Sequence, residues 1–101
     1  MQQKFMNEAL KEARKAYKKD EVPIGAIIVK DNKIISKAHN LVETKKDATM
    51  HAEMIAIKKA SKKIGNWRLN DCEIYVTLEP CLMCQKAIEL SRIKKVYFST
   101  Y

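Results

Sequence analysis

The sequence predicts a three-layer α/β/α sandwich built on a mixed sheet. An amphipathic helical pattern near the N-terminus is followed by two apolar runs separated by a short turn, which indicates a hairpin. The second half alternates helix, strand, helix and strand, an order that implies parallel strands joined by right-handed crossovers. At 101 residues, the chain suits one domain over residues 1–101.

The first half predicts one helix and one hairpin. Residues 2–19 carry apolar side chains at steps of three and four, with lysine and glutamate on the other face. Pro23 ends this helix, because proline disfavours helical geometry at the residue before it. Ile24–Val29 is a near-continuous apolar run and predicts a buried strand. Asp31-Asn32 offers a two-residue turn into a more exposed strand over Lys33–Ala38.

The second half begins with a polar, turn-rich stretch, His39–Thr49. A helix is predicted from about Met50 to Ile64, with Asp47 or Thr49 as its cap and Gly65 just past its end. Three further elements complete the order: a strand over Glu73–Leu78, a helix over 81–91 with Pro80 in its first turn, and a strand over Lys95–Thr100.

Composition narrows the class of protein. The formal net charge is +8 with a pI near 9.5, a balance that favours polyanions such as nucleic acid, although many small basic proteins bind none. No apolar run approaches the roughly 20 residues that span a bilayer, and the N-terminus does not resemble a signal peptide. The three cysteines are an odd number, which argues against a disulfide scaffold and for metal or redox chemistry in a cytoplasmic protein.

Pro80-Cys81-Leu82-Met83-Cys84 is the strongest local motif. Cys81 and Cys84 are three residues apart and share one face of the predicted helix. The helix N-terminus favours thiolate, and two thiolates at this spacing suit Zn²⁺. The motif alone is equally compatible with a redox pair, and the simplest alternative is two small buried residues.

His51-Ala52-Glu53 begins the preceding helix and gains meaning from the cysteines. Helices that follow parallel strands start at the same sheet edge, so His51 is expected to lie near both thiols. Three ligands leave a coordination position for water, as in catalytic zinc sites; His39 and Cys72 are possible fourth ligands, though both have simpler structural roles. Glu53 is then the natural proton carrier. Its alternative role is that of an acid stabilised by the helix dipole.

These residues resemble a known family. His51-Ala52-Glu53 followed by Pro80-Cys81-x-x-Cys84 is similar to the signature of the cytidine/deoxycytidylate deaminase superfamily. Flanking segments resemble its bacterial tRNA-specific adenosine deaminase branch: Glu21-Val22-Pro23-Ile24-Gly25-Ala26, Asn40, Asp47-Ala48-Thr49-Met50, Asn66-Trp67-Arg68-Leu69 and Tyr75-Val76-Thr77-Leu78-Glu79. The resemblance covers essentially the whole chain.

The resemblance implies a zinc cofactor, a sandwich of the cytidine-deaminase type and hydrolytic deamination at C6 of the wobble adenosine in a tRNA anticodon loop. It implies that Asn40 and the Ala52 N–H contact the target nucleoside and that Val22 and Leu78 line its pocket. It also implies a homodimer with tRNA across both subunits. A basic surface suits phosphate contacts, although the lysines on the second long helix are more simply a solvated face.

The sequence departs from the family pattern in three places. Ala48 stands where the family often has proline, and Gln85-Lys86 where it commonly has Ala-Gly. Family members also continue beyond this length with another strand and a terminal helix, so a C-terminally shortened domain is expected. Two alternatives stay open: a guanine, cytosine or nucleoside deaminase, and a zinc-stabilised RNA-binding module without catalysis. Glu53 argues against the second, because a structural zinc site has no need of that carboxylate.

Overall fold

A computed structural model describes residues 2–99 and contains eight helices and strands. In chain order they are α1 (Gln3–Lys18), β1 (Gly25–Lys30), β2 (Lys33–His39), α2 (Val42–Lys45), α3 (Ala52–Ile64), β3 (Cys72–Val76), α4 (Leu82–Leu90) and β4 (Lys95–Phe98). All elements predicted from the sequence are present, with ends shifted by one or two residues. The short helix α2 was not predicted, and Thr100, the last residue of the predicted fourth strand, lies outside the described residues.

The four strands form one sheet in the order β2-β1-β3-β4. β1 pairs antiparallel with both of its neighbours, whereas β3 and β4 are parallel. The mixed sheet and the parallel pairing in the second half are therefore confirmed. Because β1 runs against both neighbours, β2, β3 and β4 all point the same way, although β2 and β3 do not touch.

Alternating side chains of the central strands divide the core between the two faces of the sheet. Ile27 and Tyr75 point to the face that α1 covers, where they pack with Phe5 and Met6. Their neighbours Ile28, Ile74 and Val76 belong to the opposite cluster, together with apolar residues of α3 and α4. The predicted three layers are thus confirmed: α1, the sheet, and the α3–α4 pair. No helix among residues 2–99 is long and apolar enough to cross a membrane.

Gly25 allows α1 to approach the sheet closely. A Cβ atom on this residue would lie 2.0 Å from the Ala9 carbonyl oxygen and 2.6 Å from the Ala13 nitrogen. No side chain can occupy that space, so the helix backbone and the strand are in direct contact. This contact fixes how closely the middle of α1 lies against the start of β1.

Turn residues behave largely as the sequence predicts. Asp31 and Asn32 have φ values of 51° and 64°, the left-handed geometry of a two-residue hairpin turn. Gly65 ends α3 with φ 79°, in agreement with its predicted role. The predicted cap of α3 is wrong: Asp47 accepts hydrogen bonds from the backbone and hydroxyl of Thr49 instead, and the N-cap is a residue closer to the helix.

Candidate active site

Helices α3 and α4 begin at the same edge of the sheet, because β2 and β3, the strands before them, run in the same direction. His51 is the N-cap residue of α3 and Cys81 is the N-cap residue of α4, both with extended backbones. The sequence placed Cys81 one residue and His51 two residues too far inside their helices, and it placed Pro80 in the first turn of α4, whereas Pro80 precedes the cap. Cys84 lies within the first turn, on the side that faces α3.

The structure brings the three predicted ligands together. His51 Nδ1 lies 3.5 Å from Cys84 Sγ and 3.7 Å from Cys81 Sγ, and all three ligand atoms lie within 4.8 Å of one another. On a tetrahedral zinc ion, a sulfur at about 2.3 Å and a nitrogen at about 2.05 Å are separated by about 3.6 Å. The donor set therefore fits a metal ion of zinc's size and softness.

Burial makes the Cys84 thiol dependent on a cation for its ionisation. Cys84 is fully buried, and burial raises the pKa of its thiol well above the ordinary value, with the nearby Glu53 charge acting in the same direction. The preference for thiolate expected at a helix N-terminus is thus outweighed at Cys84. A bound metal would supply the missing positive charge, since metal ligation deprotonates a thiol. A redox-active cysteine pair usually requires a low thiol pKa. The raised pKa of Cys84 therefore argues against a redox pair that binds no metal.

Glu53 is buried beside this group with an incomplete set of partners. The residue is 3% exposed, and its Oε1 atom is the one buried side-chain oxygen or nitrogen without a hydrogen bond among the described residues. Burial raises the pKa of the carboxyl group above its ordinary value, although its own backbone N–H, His51 and Cys84 act in the opposite direction. A buried, unsatisfied carboxylate oxygen is costly, and its presence indicates a chemical role.

The possible fourth ligands lie elsewhere. His39 Nδ1 is 2.9 Å from Glu12 Oε1 and its Nε2 is 3.0 Å from Lys19 Nζ, so both ring nitrogens are engaged between β2 and α1. Cys72 opens β3, at the end of that strand away from Cys81. Within residues 2–99, the group of possible metal ligands, called the metal group below, contains three residues: His51, Cys81 and Cys84. Three ligands would leave a coordination position for water.

Ala52 follows His51 directly in the chain, and a backbone hydrogen bond joins the residue after Asn40 to the residue before His51. Asn40 follows β2, and the Leu41 N–H donates to the Met50 carbonyl oxygen at 3.0 Å, which closes the intervening loop immediately before His51. Ala52 is the first residue of α3 and is fully buried. Its N–H precedes the first intrahelical donor, Ile55, and so belongs to the helix N-terminal groups that lack an intrahelical acceptor.

Val22 and Leu78 line a shared apolar groove of about 330 Å³, together with Leu10, Ala13 and Pro23. Asn40 and Ala52 do not line this groove, so of the four predicted substrate contacts the groove brings together Val22 and Leu78. A larger cavity of about 440 Å³ lies between α4 and β4. None of the metal-group side chains lines that cavity, and the chemistry of its walls offers no reason to place a reaction there.

Sequence reasoning missed two carboxylates that support the loops around the site. Glu21, between α1 and β1, is buried and accepts hydrogen bonds from α2. Glu12 is buried on α1 and holds His39. Glu12 falls on the predicted apolar face of its helix, a signal that could have marked it. Nothing in the local pattern distinguishes Glu21 from an ordinary turn residue.

Taken together, the fold and the site define an α/β sandwich in which three side chains that could hold a metal ion lie beside a buried carboxylate. Residues 1–100 match the model of the cytidine and deoxycytidylate deaminase zinc-binding region. The chain belongs to this family, which confirms the resemblance seen in the sequence.

Curated relatives are named as tRNA-specific adenosine deaminases. The protein of Aquifex aeolicus (strain VF5) is 60% identical over 95 residues, which are 94% of this chain and 63% of the relative. The protein of Bacillus subtilis (strain 168) is 53% identical over 97 residues, which are 96% of this chain and 60% of the relative. The chain thus spans about three fifths of the length of the curated relatives it matches.

Two solved structures share the fold closely. One comes from biochemical and structural studies of A-to-I editing by tRNA:A34 deaminases; it has a TM-score of 0.95 and 44% identity, and the match covers 97% of this chain and 75% of that one. The other is a guanine deaminase from Bacillus subtilis with a TM-score of 0.95 and 40% identity, covering 99% of this chain and 64% of that one.

Proposed function

We propose that this chain is a zinc-dependent tRNA adenosine deaminase that converts the wobble adenosine of an anticodon loop, with water, into inosine and ammonia. The observation that carries the assignment is the buried, unpartnered Glu53 Oε1 beside the His51, Cys81 and Cys84 donor group. A carboxylate of this kind has no use in a structural metal site, which argues against a non-catalytic RNA-binding module. The relatives named as tRNA-specific adenosine deaminases support adenosine in tRNA as the substrate.

His51, Cys81 and Cys84 would hold the zinc ion, each from the first turn or the cap of its helix. When bound, zinc supplies Lewis acidity that lowers the pKa of a water molecule toward neutrality. The protein contributes a fixed donor geometry: both helices are packed on the same sheet face, and the ligand atoms are already within 4.8 Å of one another.

Glu53 is proposed as the acid and base of the reaction. Its carboxylate accepts a proton from the attacking water and delivers it to the adenine, whose C6 amino group leaves as ammonia. Burial raises the pKa of this carboxyl group, which makes it a stronger base toward water than an exposed glutamate.

The target nucleoside is proposed to lie between Asn40 and the Ala52 N–H, with Val22 and Leu78 against its apolar surface. A base edge needs such donors and acceptors, and an extruded loop base needs an apolar wall. Asn40 follows β2 and Leu78 follows β3, at the edge of the sheet where α3 and α4 begin, which supports this placement.

The partners follow from the substrate. The net charge of +8 suits phosphate contacts with the anticodon loop, and a tRNA substrate implies a cytoplasmic location.

We also propose a homodimer, supported by α4, where Leu82 is 83% exposed and Leu90 58% exposed. Residues 1–101 are proposed to form one deaminase domain, shorter than its relatives.

A guanine deaminase is the second candidate, because the Bacillus subtilis enzyme matches this chain with the same TM-score as the tRNA-editing structure. Both reactions replace an exocyclic purine amine with oxygen. The metal group and the acid/base would serve either, so the distinction depends on the surroundings of the base.

The assay that tests the proposal offers the zinc-loaded chain an anticodon stem-loop RNA with adenosine at the wobble position, and separately guanine, cytosine and cytidine. We expect inosine only in the RNA, at the wobble position, and one zinc ion per chain by elemental analysis. A stem-loop with guanosine at that position is the matched control. Turnover of the free bases alone would overturn the tRNA assignment, and absence of stoichiometric zinc would overturn the metal assignment.

A further inference from the structure

The short helix α2 is held by two side chains that lie outside it. A helix of four residues cannot satisfy its own N-terminal donors. Asn40 Oδ1 accepts the Val42 N–H at 2.9 Å, and Glu21 accepts the next two, from Glu43 at 3.0 Å and Thr44 at 2.6 Å. The first three backbone donors of α2 are therefore accepted by two side chains. One belongs to Asn40, a proposed substrate contact, and the other to Glu21, from another segment of the chain.

Glu21 is a buried and fully engaged carboxylate. The residue is 4% exposed. Oε1 accepts from Glu43, whereas Oε2 accepts from both the backbone and the hydroxyl of Thr44, the latter at 2.6 Å. Burial opposes ionisation, yet the hydrogen bonds from Thr44 and Glu43 hold the pKa of the carboxyl group below its ordinary value. The Glu21 N–H donates to the Ala16 carbonyl oxygen at 3.0 Å, which anchors the residue to α1.

The orientation of the Asn40 amide depends on α2. Because Oδ1 accepts the Val42 N–H, that end of the amide is fixed and Nδ2 must point away from α2. The Asn40 backbone is held separately, since its N–H donates to the Ile24 carbonyl oxygen at 3.1 Å. This hydrogen bond restrains the main chain of Asn40 when Val42 moves, whereas the side chain is held by Val42 itself.

We propose that Glu21 is a positioning residue of the active site: its carboxylate holds the N-terminus of α2 where Val42 orients the Asn40 side-chain amide toward the target base. This role rests on the proposed function, because it requires Asn40 to contact the substrate. Glu21 itself touches neither the metal group nor the base. Its contribution reaches the reaction through three hydrogen bonds to α2 and through the hydrogen bond from Val42 to Asn40.

Glutamine at this position tests the role with little change of volume. The Glu21→Gln amide must direct its NH₂ group at one of the two N–H donors, so α2 loses a hydrogen bond. Thr44→Val removes the hydroxyl donor, while Thr44→Ser retains it. Glu43→Gln is the matched control, because it removes a negative charge from the same loop but its exposed carboxylate takes part in none of these hydrogen bonds.

The kinetic readout is deamination of the stem-loop RNA by the zinc-loaded full chain. We expect Glu21→Gln to lower kcat/KM about tenfold, the size of one charge-assisted hydrogen bond, with bound zinc unchanged. Thr44→Val should cost about threefold, whereas Thr44→Ser and Glu43→Gln should stay within about twofold of wild type.

A double-mutant cycle with Asn40→Ala separates positioning from general support of the fold. Asn40→Ala should cost about a hundredfold, and adding Glu21→Gln should then cost less than about twofold, because the amide it positions is gone. Losses that multiply in the double variant, or a loss that follows zinc content, would overturn the positioning role.

The side-chain amide resonances of Asn40 provide a readout that needs no activity. They should shift in Glu21→Gln and remain in place in Glu43→Gln. Unchanged resonances in Glu21→Gln would contradict the positioning role even if the wild-type chain edits RNA. A wild-type chain that edits no RNA would instead refute the proposed function, whatever the resonances show.

Discussion

Replacing Glu53 by glutamine should make the metal-free fold more stable while removing its chemistry. The side chain is 3% exposed, and its Oε1 atom has no hydrogen-bond partner among the described residues. A buried acceptor left unsatisfied costs about 1–3 kcal/mol when it is neutral and more when it is charged, and glutamine removes the charge although its amide is still buried. The helix dipole stabilises a carboxylate in the first turn of α3 by only about 0.3–1 kcal/mol. The cost of burying Glu53 is therefore larger than this stabilisation.

We therefore expect the free energy of unfolding of metal-free Glu53→Gln to exceed that of wild type by about 1 kcal/mol, which corresponds to about 4–8 °C in melting temperature for a chain of this size. Deamination by the zinc-loaded variant should fall by about 10²–10⁴, the usual contribution of a general acid or base. Calorimetry of the chelator-treated chains and an inosine assay on the loaded chains measure the two effects.

Glu43→Gln serves as the control, because it changes the same charge at an exposed position and should alter neither quantity. A Glu53→Gln chain that is less stable than wild type would show that the carboxylate is a structural cap of α3. A loaded variant that retains deamination within about tenfold of wild type would show that another group transfers the proton.

Three further outcomes are expected. His51→Ala should lose stoichiometric zinc by elemental analysis, whereas His39→Ala should keep it, because the other histidine is engaged with Glu12. Gly25→Ala should lower the free energy of unfolding in urea by about 2 kcal/mol, since a Cβ would lie 2.0 Å from the Ala9 carbonyl oxygen; an unchanged midpoint would mean that α1 shifts without cost. Burial opposes ionisation of Glu12, but His39 and a neighbouring lysine lower its carboxyl pKa below the ordinary 4.5. Its stabilisation is therefore present above pH 4.5 and lost as pH falls further, so Glu12→Gln should flatten the acid side of a pH–stability curve.

The local elements were predictable because their signals are local. The three- and four-residue spacing of apolar side chains fixes α1, and the positive φ that Asp31, Asn32 and Gly65 adopt is tolerated best by such residues. Helix α2 escaped prediction for the same reason. Its four residues carry no periodic pattern, and its N-terminal donors are satisfied by Asn40 and by Glu21, which is distant in sequence.

By itself, the sequence determined the order of elements, the three layers and the shared helix face of Cys81 and Cys84. Each of these follows from the spacing of residues within single segments. The combination of motifs then pointed to His51 and Glu53, and the resemblance to deaminases supplied the substrate contacts. Only the tertiary structure decided that His51 Nδ1 lies 3.5 Å from Cys84 Sγ across 33 residues of chain, that Glu53 is buried without a full set of partners, and that Glu21 supports Asn40. Those facts depend on two parallel crossovers and on a helix packed against Gly25, and contacts between distant segments leave no periodic trace in the segments themselves.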